Sequence, residues 1–156
     1  MKQGLLFVIT CWGLMGCHLW IENSDSHSRA STTYAELGLS YLARGRPDLA
    51  LEALLKAKAM APYNAMAWEA LGYYHERSEQ TKEAAEAYRK AIYLSPHEGR
   101  THNNYGAFLC RQGQYAKGMA ELQAALRLEY YANRQKTEKN YERCLQMARK
   151  SLSYPL

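Results

Sequence analysis

The sequence predicts an all-α protein built as a solenoid of helical hairpins, and three sets of residues support this prediction. Glycines recur every 34 residues, at Gly38, Gly72 and Gly106. A second set of small residues has the same period: Ala50, Ala84 and Gly118. Pro62 and Pro96, also 34 residues apart, fall where successive hairpins would end. Periods of this length are typical of repeat proteins, in which each unit packs mainly on its neighbours.

Residues 1–16 have the features of a signal peptide. A charged start, Met1-Lys2, is followed by an uncharged apolar run over residues 4–16. A helix of about 13 residues spans roughly 20 Å, which is short of a hydrocarbon core of about 30 Å. We therefore expect a signal peptide and not a transmembrane helix.

The apolar run ends in Leu14-Met15-Gly16-Cys17, which resembles a bacterial lipobox. The resemblance implies that the thiol of Cys17 carries the lipid and that cleavage makes this residue the new N-terminus. The alternative is an ordinary signal peptide with an incidental cysteine. His18 stands where an aspartate would favour the inner membrane, so the resemblance implies an outer-membrane protein that faces the periplasm.

Residues 17–31 are predicted to form a flexible tether between the lipidated Cys17 and the folded domain, because this stretch is polar, rich in serine and without apolar period. The domain itself is expected over residues 32–151.

Each repeat within this domain is predicted to contain two helices, and the three repeats cover about 31–64, 65–98 and 99–132. A glycine on the first helix and a small residue on the second would let the pair pack closely, and proline would end the second helix. In the second repeat Trp68, Leu71 and Gly72 follow the spacing W-x-x-L-G. This pattern resembles the tetratricopeptide repeat (TPR).

The period is lost after Leu128, but one more helix is predicted over about 133–150. Tyr141, Cys144, Leu145 and Ala148 are spaced as on one face of an amphipathic helix. We interpret this segment as a capping helix or as the first half of a degenerate fourth repeat, since a solenoid needs its last apolar face covered.

Cys110 and Cys144 are 34 residues apart and are expected at equivalent places on neighbouring helices. They could form a disulfide in the periplasm. Neighbouring helix axes usually lie 8–10 Å apart, whereas a disulfide requires Cα atoms within about 7 Å. Two buried thiols are therefore the favoured expectation, with a disulfide as the alternative.

The sequence does not predict an enzyme. His75 and His102 fill positions that the repeat pattern gives to aromatic residues, so they are expected to pack in the core and not to bind metal. No nucleophile elbow, phosphate loop or paired metal ligands occur in the sequence, and no cofactor or small-molecule substrate is expected. The net charge is +5, and the basic residues are scattered except over residues 134–150. Glu129, Glu138 and Glu142 dilute that stretch, which is interpreted as a solvated helix face, so a nucleic-acid partner is not expected.

A TPR solenoid binds partners along the inner wall formed by the first helix of each pair. The positions that the repeat pattern assigns to this wall predict a partner-binding groove, with these residues: Leu39, Leu42, Met66, Glu69, Tyr73, Arg100, Asn103 and Ala107. Ala35 and Leu39 replace the lysine and asparagine of carboxylate-clamp TPRs, which excludes that mode of binding.

The segment Asn103-Asn104-Tyr105-Gly106 with Phe108, Leu109 and Cys110 resembles the PilF/PilW type IV pilus biogenesis lipoproteins. These are outer-membrane TPR pilotins that help the pilus secretin to localise and assemble. The resemblance implies a lipid-anchored adaptor whose partner is a secretin subunit. The alternative is a general periplasmic scaffold that organises envelope proteins such as peptidoglycan hydrolases.

Overall fold

A computed structural model of the protein describes residues 12–128 and 131–153, with side chains from residue 25 onward. The described residues form helices and no strand, which confirms the predicted all-α solenoid. The helices are α1 (Trp12–Ala43), α2 (Pro47–Met60), α3 (Ala65–Arg77), α4 (Thr81–Leu94), α5 (Gly99–Arg111), α6 (Tyr115–Arg127) and α7 (Arg134–Ser153). None of the described helices is long and apolar enough to cross a membrane.

Successive helices pack as hairpins, α1 with α2, α3 with α4 and α5 with α6, and each hairpin packs on the next. Close contact within a hairpin depends on the periodic glycines. A Cβ on Gly38 would lie 2.6 Å from the side chain of Leu54, and one on Gly72 would lie 2.9 Å from the ring of Tyr88. The predicted reason for these glycines is confirmed, because any side chain would push the two helices apart.

The turns inside the three hairpins share one backbone path. In each turn, the amide of the residue that precedes the second helix donates to a carbonyl near the end of the first, as from Arg46 to Tyr41 at 2.9 Å. The residue before that amide has a positive φ, and it is Gly45 in the first hairpin, Glu79 in the second and Gly113 in the third. Pro47 begins α2 at a position where its missing N–H costs no helical hydrogen bond.

The core is a series of clusters between successive units. Ala35, Leu54 and Leu71 belong to the first cluster, which joins α1 and α2 to α3. In the second, the ring of Tyr88 lies 5.7 Å from the rings of both Tyr105 and Phe108. Tyrosine rings thus pack between helices in this cluster, whereas Tyr63 and Tyr93 are 81% and 78% exposed.

The structure differs from the sequence prediction at the tether. Residues 17–31 are helical and continue directly into the first repeat, as part of α1. Ser31 is fully buried, and its hydroxyl donates to the carbonyl of Ala57 at 2.8 Å. Proline and glycine are the residues that most disfavour a helix, and neither occurs between Cys17 and Leu37. The helix can therefore run without interruption through this segment into the first repeat.

The remaining predictions about the N-terminus lie outside the described structure. Residues 1–11 of the signal peptide are not described, and neither is the side chain of Cys17. Lipidation of Cys17 therefore stays a prediction.

The helix predicted over about 133–150 corresponds to α7, which packs on both α5 and α6. Two of its residues, Thr137 and Cys144, are buried. Thr137 faces α5, where its hydroxyl donates to Asn103, and Cys144 lies in the third core cluster with Cys110 and Leu122. This helix therefore covers the last hairpin.

Candidate partner-binding surface

The first helices of the repeats, together with α7, enclose a cavity of about 270 Å³. We call this cavity the inner groove. Its walls come from α1, α3, α5 and α7, and its lining residues are Leu39, Met66, Glu69, Ala70, Tyr73, Arg100, Asn104 and Lys136. Five of the eight residues predicted for a partner-binding groove are in this set: Leu39, Met66, Glu69, Tyr73 and Arg100.

Glu69 forms the floor of the inner groove and ties α3 to α5. It is 7% exposed, and its carboxylate accepts hydrogen bonds from Thr101 Oγ1 at 2.7 Å and from Asn104 Nδ2 at 2.9 Å. Arg100 Nε lies 3.2 Å from the same carboxylate. Two hydrogen bonds and one ion pair therefore satisfy Glu69 internally, whereas the side chain of Arg100 remains 40% exposed and accessible from the groove.

Asn103, Leu42 and Ala107 were also predicted to contact a partner, and the structure does not place them in the lining of the inner groove. Asn103 is 2% exposed because α7 covers it. Its side-chain oxygen accepts from Thr137 Oγ1 at 3.0 Å and from Asn140 Nδ2 at 2.9 Å. The prediction for Asn103 is wrong, since its side chain holds α7 to α5. Leu42 and Ala107 are half-buried elsewhere on the first helices.

Three lining residues were missed from the sequence. Ala70 and Asn104 each follow a predicted residue by one position, and a rotation of the helix by one residue would have found them. Lys136 lies on α7, beyond Leu128, where the loss of the 34-residue period gave no register from which to assign it.

A second acidic residue on the inner side, Glu76, is also neutralised within the protein. It forms an ion pair with Arg111, and it accepts a hydrogen bond from the hydroxyl of Tyr88 at 3.1 Å. Burial raises the pKa of Tyr88 far above its ordinary value, so this hydroxyl stays protonated and continues to donate.

Cys110 and Cys144 form a disulfide in the structure, with their Cα atoms 5.4 Å apart. The favoured expectation of two free thiols is therefore wrong. The two side chains point toward each other from α5 and α7, so their Cα atoms lie closer together than the helix axes usually do. Gly118 makes room for the bond, because a Cβ there would collide with Cys110 Sγ.

His102 is a packed core residue, as its place in the repeat predicts. It is 8% exposed, with Nδ1 2.7 Å from Glu121 Oε2 and Nε2 3.0 Å from the carbonyl of Pro96. The hydrogen bond to Glu121 is the main cause that raises the pKa of His102 above its ordinary value. Among the described residues, no three potential metal ligands cluster in a geometry that could hold an ion.

Comparison with known families identifies the class of protein. Models of the tetratricopeptide repeat match residues 31–64 and 65–98, the same bounds that the 34-residue period predicts. The chain is thus a tetratricopeptide-repeat protein, with a scaffold of the kind that binds other proteins.

Two curated proteins narrow this identification. An uncharacterised protein of Haemophilus influenzae is 31% identical over 128 residues, which cover 82% of this chain and 72% of that protein. The type IV pilus assembly protein PilF of Pseudomonas aeruginosa is 31% identical over 144 residues, or 89% of this chain and 57% of PilF. The chain belongs to the same family as the Haemophilus protein and is a homologue of PilF, of which it spans a little over half the length.

Solved structures give the same relationship. The structure of P. aeruginosa PilF is similar with a TM-score of 0.74 and 34% identity, over 78% of this chain and 55% of PilF. PilW, described as a type IV pilus biogenesis factor, is similar with a TM-score of 0.70 and 25% identity, over 79% of this chain and 59% of PilW. The first TPR domain of human RPAP3, with a TM-score of 0.71 and 20% identity, shares the fold.

Proposed function

We propose that this protein is an outer-membrane lipoprotein of type IV pilus biogenesis, a pilotin that binds a secretin subunit and brings it to its place of assembly. The observation that carries the proposal is the homology to PilF, which extends over 144 residues, 89% of the chain. The alignable region includes the repeats and therefore the helices that build the inner groove.

The inner groove is the proposed binding site for the secretin. Leu39, Met66 and Tyr73 offer apolar contacts from the first two repeats, and Tyr73 is 39% exposed. Aromatic and aliphatic side chains that line a concave site are typical of surfaces that bind a partner segment.

Cys17 is the proposed lipid anchor, in the lipobox Leu14-Met15-Gly16-Cys17. A triacylated cysteine would hold the protein stably at the membrane, since more than one acyl chain is needed for lasting attachment. Anchor and groove together would raise the effective concentration of the bound secretin at the outer membrane.

Deletion of the gene tests this function. The proposal expects fewer secretin multimers in the outer membrane and a loss of pili, both restored by the wild-type gene. A Cys17→Ser variant should accumulate as a folded protein outside the outer-membrane fraction and fail to restore the multimers. Normal multimers and normal piliation in the deletion strain would contradict the proposal. Capture of peptidoglycan hydrolases in place of secretin would favour the general scaffold instead.

A further inference from the structure

A row of basic side chains runs along α7. Lys136, Lys139, Arg143 and Lys150 are spaced three, four and seven residues apart, so they lie along one face of the helix. All four are exposed. None of their side chains forms a hydrogen bond or ion pair with any residue in the described part of the chain. We call this row the basic stripe.

The acidic side chains of α7 do not cancel the basic stripe. With about 100° of rotation per residue, Glu138 and Glu142 lie with Arg149 on a neighbouring row of the helix, and Glu142, three residues after Lys139, can offset part of that one charge. On the facing helices, Glu69 and Glu76 are already neutralised by donors within the protein. Most of the positive charge of the stripe, from Lys136, Arg143 and Lys150, is therefore left for a ligand.

The basic stripe is continuous with the inner groove. Lys136, its first member, lines the groove together with Arg100 and Asn104 of α5. At the other end of the same cavity are Leu39 and Met66, from the first two repeats. The surface thus changes from apolar at the first repeats to basic at α5 and α7.

We propose that the inner groove and the basic stripe together bind one extended segment of a partner protein, in which apolar side chains are followed by a cluster of Asp or Glu. The apolar side chains contact Leu39, Met66 and Tyr73, and the carboxylates lie along the stripe. This inference rests on the proposed function in one respect, that the occupant of the groove is a protein. Beyond the proposed function, it specifies which residue types the bound segment contains.

Concavity decides between an acidic protein segment and the other common anionic surface, a membrane. Lys136 lines a cavity whose other walls come from α1, α3 and α5, and a flat bilayer cannot enter such a cavity. An extended peptide can, and complementary charge would orient it along the groove.

Selection from a library of random peptides, each about a dozen residues long, tests the proposal on the purified full chain. Peptides that bind the wild-type protein are expected to contain Asp and Glu at roughly twice or more their frequency in the unselected library. A Lys139→Glu/Arg143→Glu variant should lose this enrichment. Raising the salt concentration should reduce it on the unchanged protein, because exposed charges are screened.

A matched control places the same charge change elsewhere. Lys82→Glu/Arg149→Glu lowers the net charge from +5 by four, as the test variant does, but leaves the basic stripe intact. This control should keep the acidic enrichment. Circular dichroism should give the same helical signal for all three proteins, since the four substituted side chains are exposed.

Three results would overturn the proposal. They are an absence of acidic enrichment on the wild type, enrichment that survives in Lys139→Glu/Arg143→Glu, and an equal loss in the control. If the basic stripe instead binds a membrane, the wild type should bind vesicles of phosphatidylglycerol but not vesicles of phosphatidylcholine. Lys139→Glu/Arg143→Glu should lose that binding, and the control variant should keep it. If the peptide selection shows no acidic preference but the deletion strain has fewer secretin multimers, the acidic segment is rejected and the proposed function is retained.

Discussion

Glu79 is the one residue other than glycine, among those described, that adopts a left-handed backbone, with φ of 60°. Gly45 and Gly113, one repeat before and one repeat after, have φ of 69° and 74°. All three precede the second helix of a hairpin, in turns with the same hydrogen bonds. A side chain in this conformation costs about 1–2 kcal/mol, so the second hairpin carries strain that its neighbours avoid.

Replacing Glu79 by glycine is expected to stabilise the protein by about 0.5–1 kcal/mol, because the relieved strain exceeds the entropy that glycine loses on folding. The free energy of unfolding from urea titration measures this change. Gly45→Ala and Gly113→Ala are the reciprocal controls and should each destabilise. A Glu79→Gly variant less stable than the wild type would contradict the assignment of this turn.

Gly118 shows a second constraint at single-residue scale. Its place in the repeat is filled by alanine in the other two hairpins, at Ala50 and Ala84. A Cβ on Gly118 would collide with Cys110 Sγ and lie 2.8 Å from the carbonyl oxygen of Gly106. Glycine at this position is therefore explained by the disulfide and by the close approach of α6 to α5.

Gly118→Ala is expected to lower the free energy of unfolding by about 1–3 kcal/mol, as overpacking of a tight contact does. The same substitution should cost less in a Cys110→Ala/Cys144→Ala background, where Sγ is absent. Unfolding in urea, without reductant, measures both. A gain of about 1 kcal/mol, which the better helix propensity of alanine alone would give, would show that the contact is not tight.

His102 makes stability depend on pH. Its raised folded pKa means that protonation of the imidazole stabilises the folded state, and this contribution is fully present below the unfolded value of about 6.5. The free energy of unfolding should therefore fall as the pH rises from about 6.5 through the folded pKa. NMR titration of the ring and urea unfolding across this range measure it. Glu121→Gln should bring the pKa back toward 6.5 and remove the decline, and a decline unchanged in that variant would contradict the assignment.

At the scale of elements, α7 is the helix whose attachment depends most on one bond. This helix is rich in polar residues, and its two buried residues are Thr137 and Cys144. The other hairpins have larger apolar clusters, such as that of Tyr88, Tyr105 and Phe108. The disulfide between Cys110 and Cys144 therefore supplies much of what holds α7 in place.

Reduction of the disulfide is expected to lower the free energy for opening α7 by about 3–4 kcal/mol, because the opened chain regains the entropy of a loop of 34 residues that the bond had closed. Hydrogen exchange should show faster exchange of the α7 amides after addition of dithiothreitol, with α3 and α4 little changed, since repeat arrays open locally. A Cys110→Ala/Cys144→Ala variant should not respond to the reductant. Unchanged protection of α7 on reduction would mean that packing alone holds the helix.

Elements with a strict period could be predicted from the sequence, and elements outside it could not. Gly38, Gly72 and Gly106 fix the register of three hairpins because each contact repeats at the same place. The first residues of α1 were predicted as a flexible tether because composition alone was available there, and composition does not show that Ser31 is held by Ala57. Asn103 was placed in the groove because the register of α7, which covers it, was lost after Leu128.

At the scale of the whole molecule, the solenoid is a series of similar interfaces that place the first helices side by side. This arrangement brings Leu39, Met66 and Arg100, from three different repeats, to one cavity. The 34-residue period was sufficient to predict that these three residues lie on one surface. The disulfide and the contribution of Lys136 required the position of α7, which no period in the sequence supplies.

Binding of a secretin through the inner groove is the central claim about function, and Leu39→Glu tests this claim in the full-length protein. A carboxylate in place of the Leu39 side chain, beside Met66 and Tyr73, should weaken partner binding by at least about tenfold, because the charge would lose its water on binding. Leu55→Glu is the matched control, since Leu55 is 45% exposed on α2 and does not line the inner groove.

The most direct measurement is co-purification of the secretin with the full-length protein from crosslinked envelopes of the native cell, quantified for wild type, Leu39→Glu and Leu55→Glu. The account predicts that secretin is captured by the wild type and by Leu55→Glu and is largely lost with Leu39→Glu. Equal capture by all three proteins, or no secretin with the wild type, would contradict it.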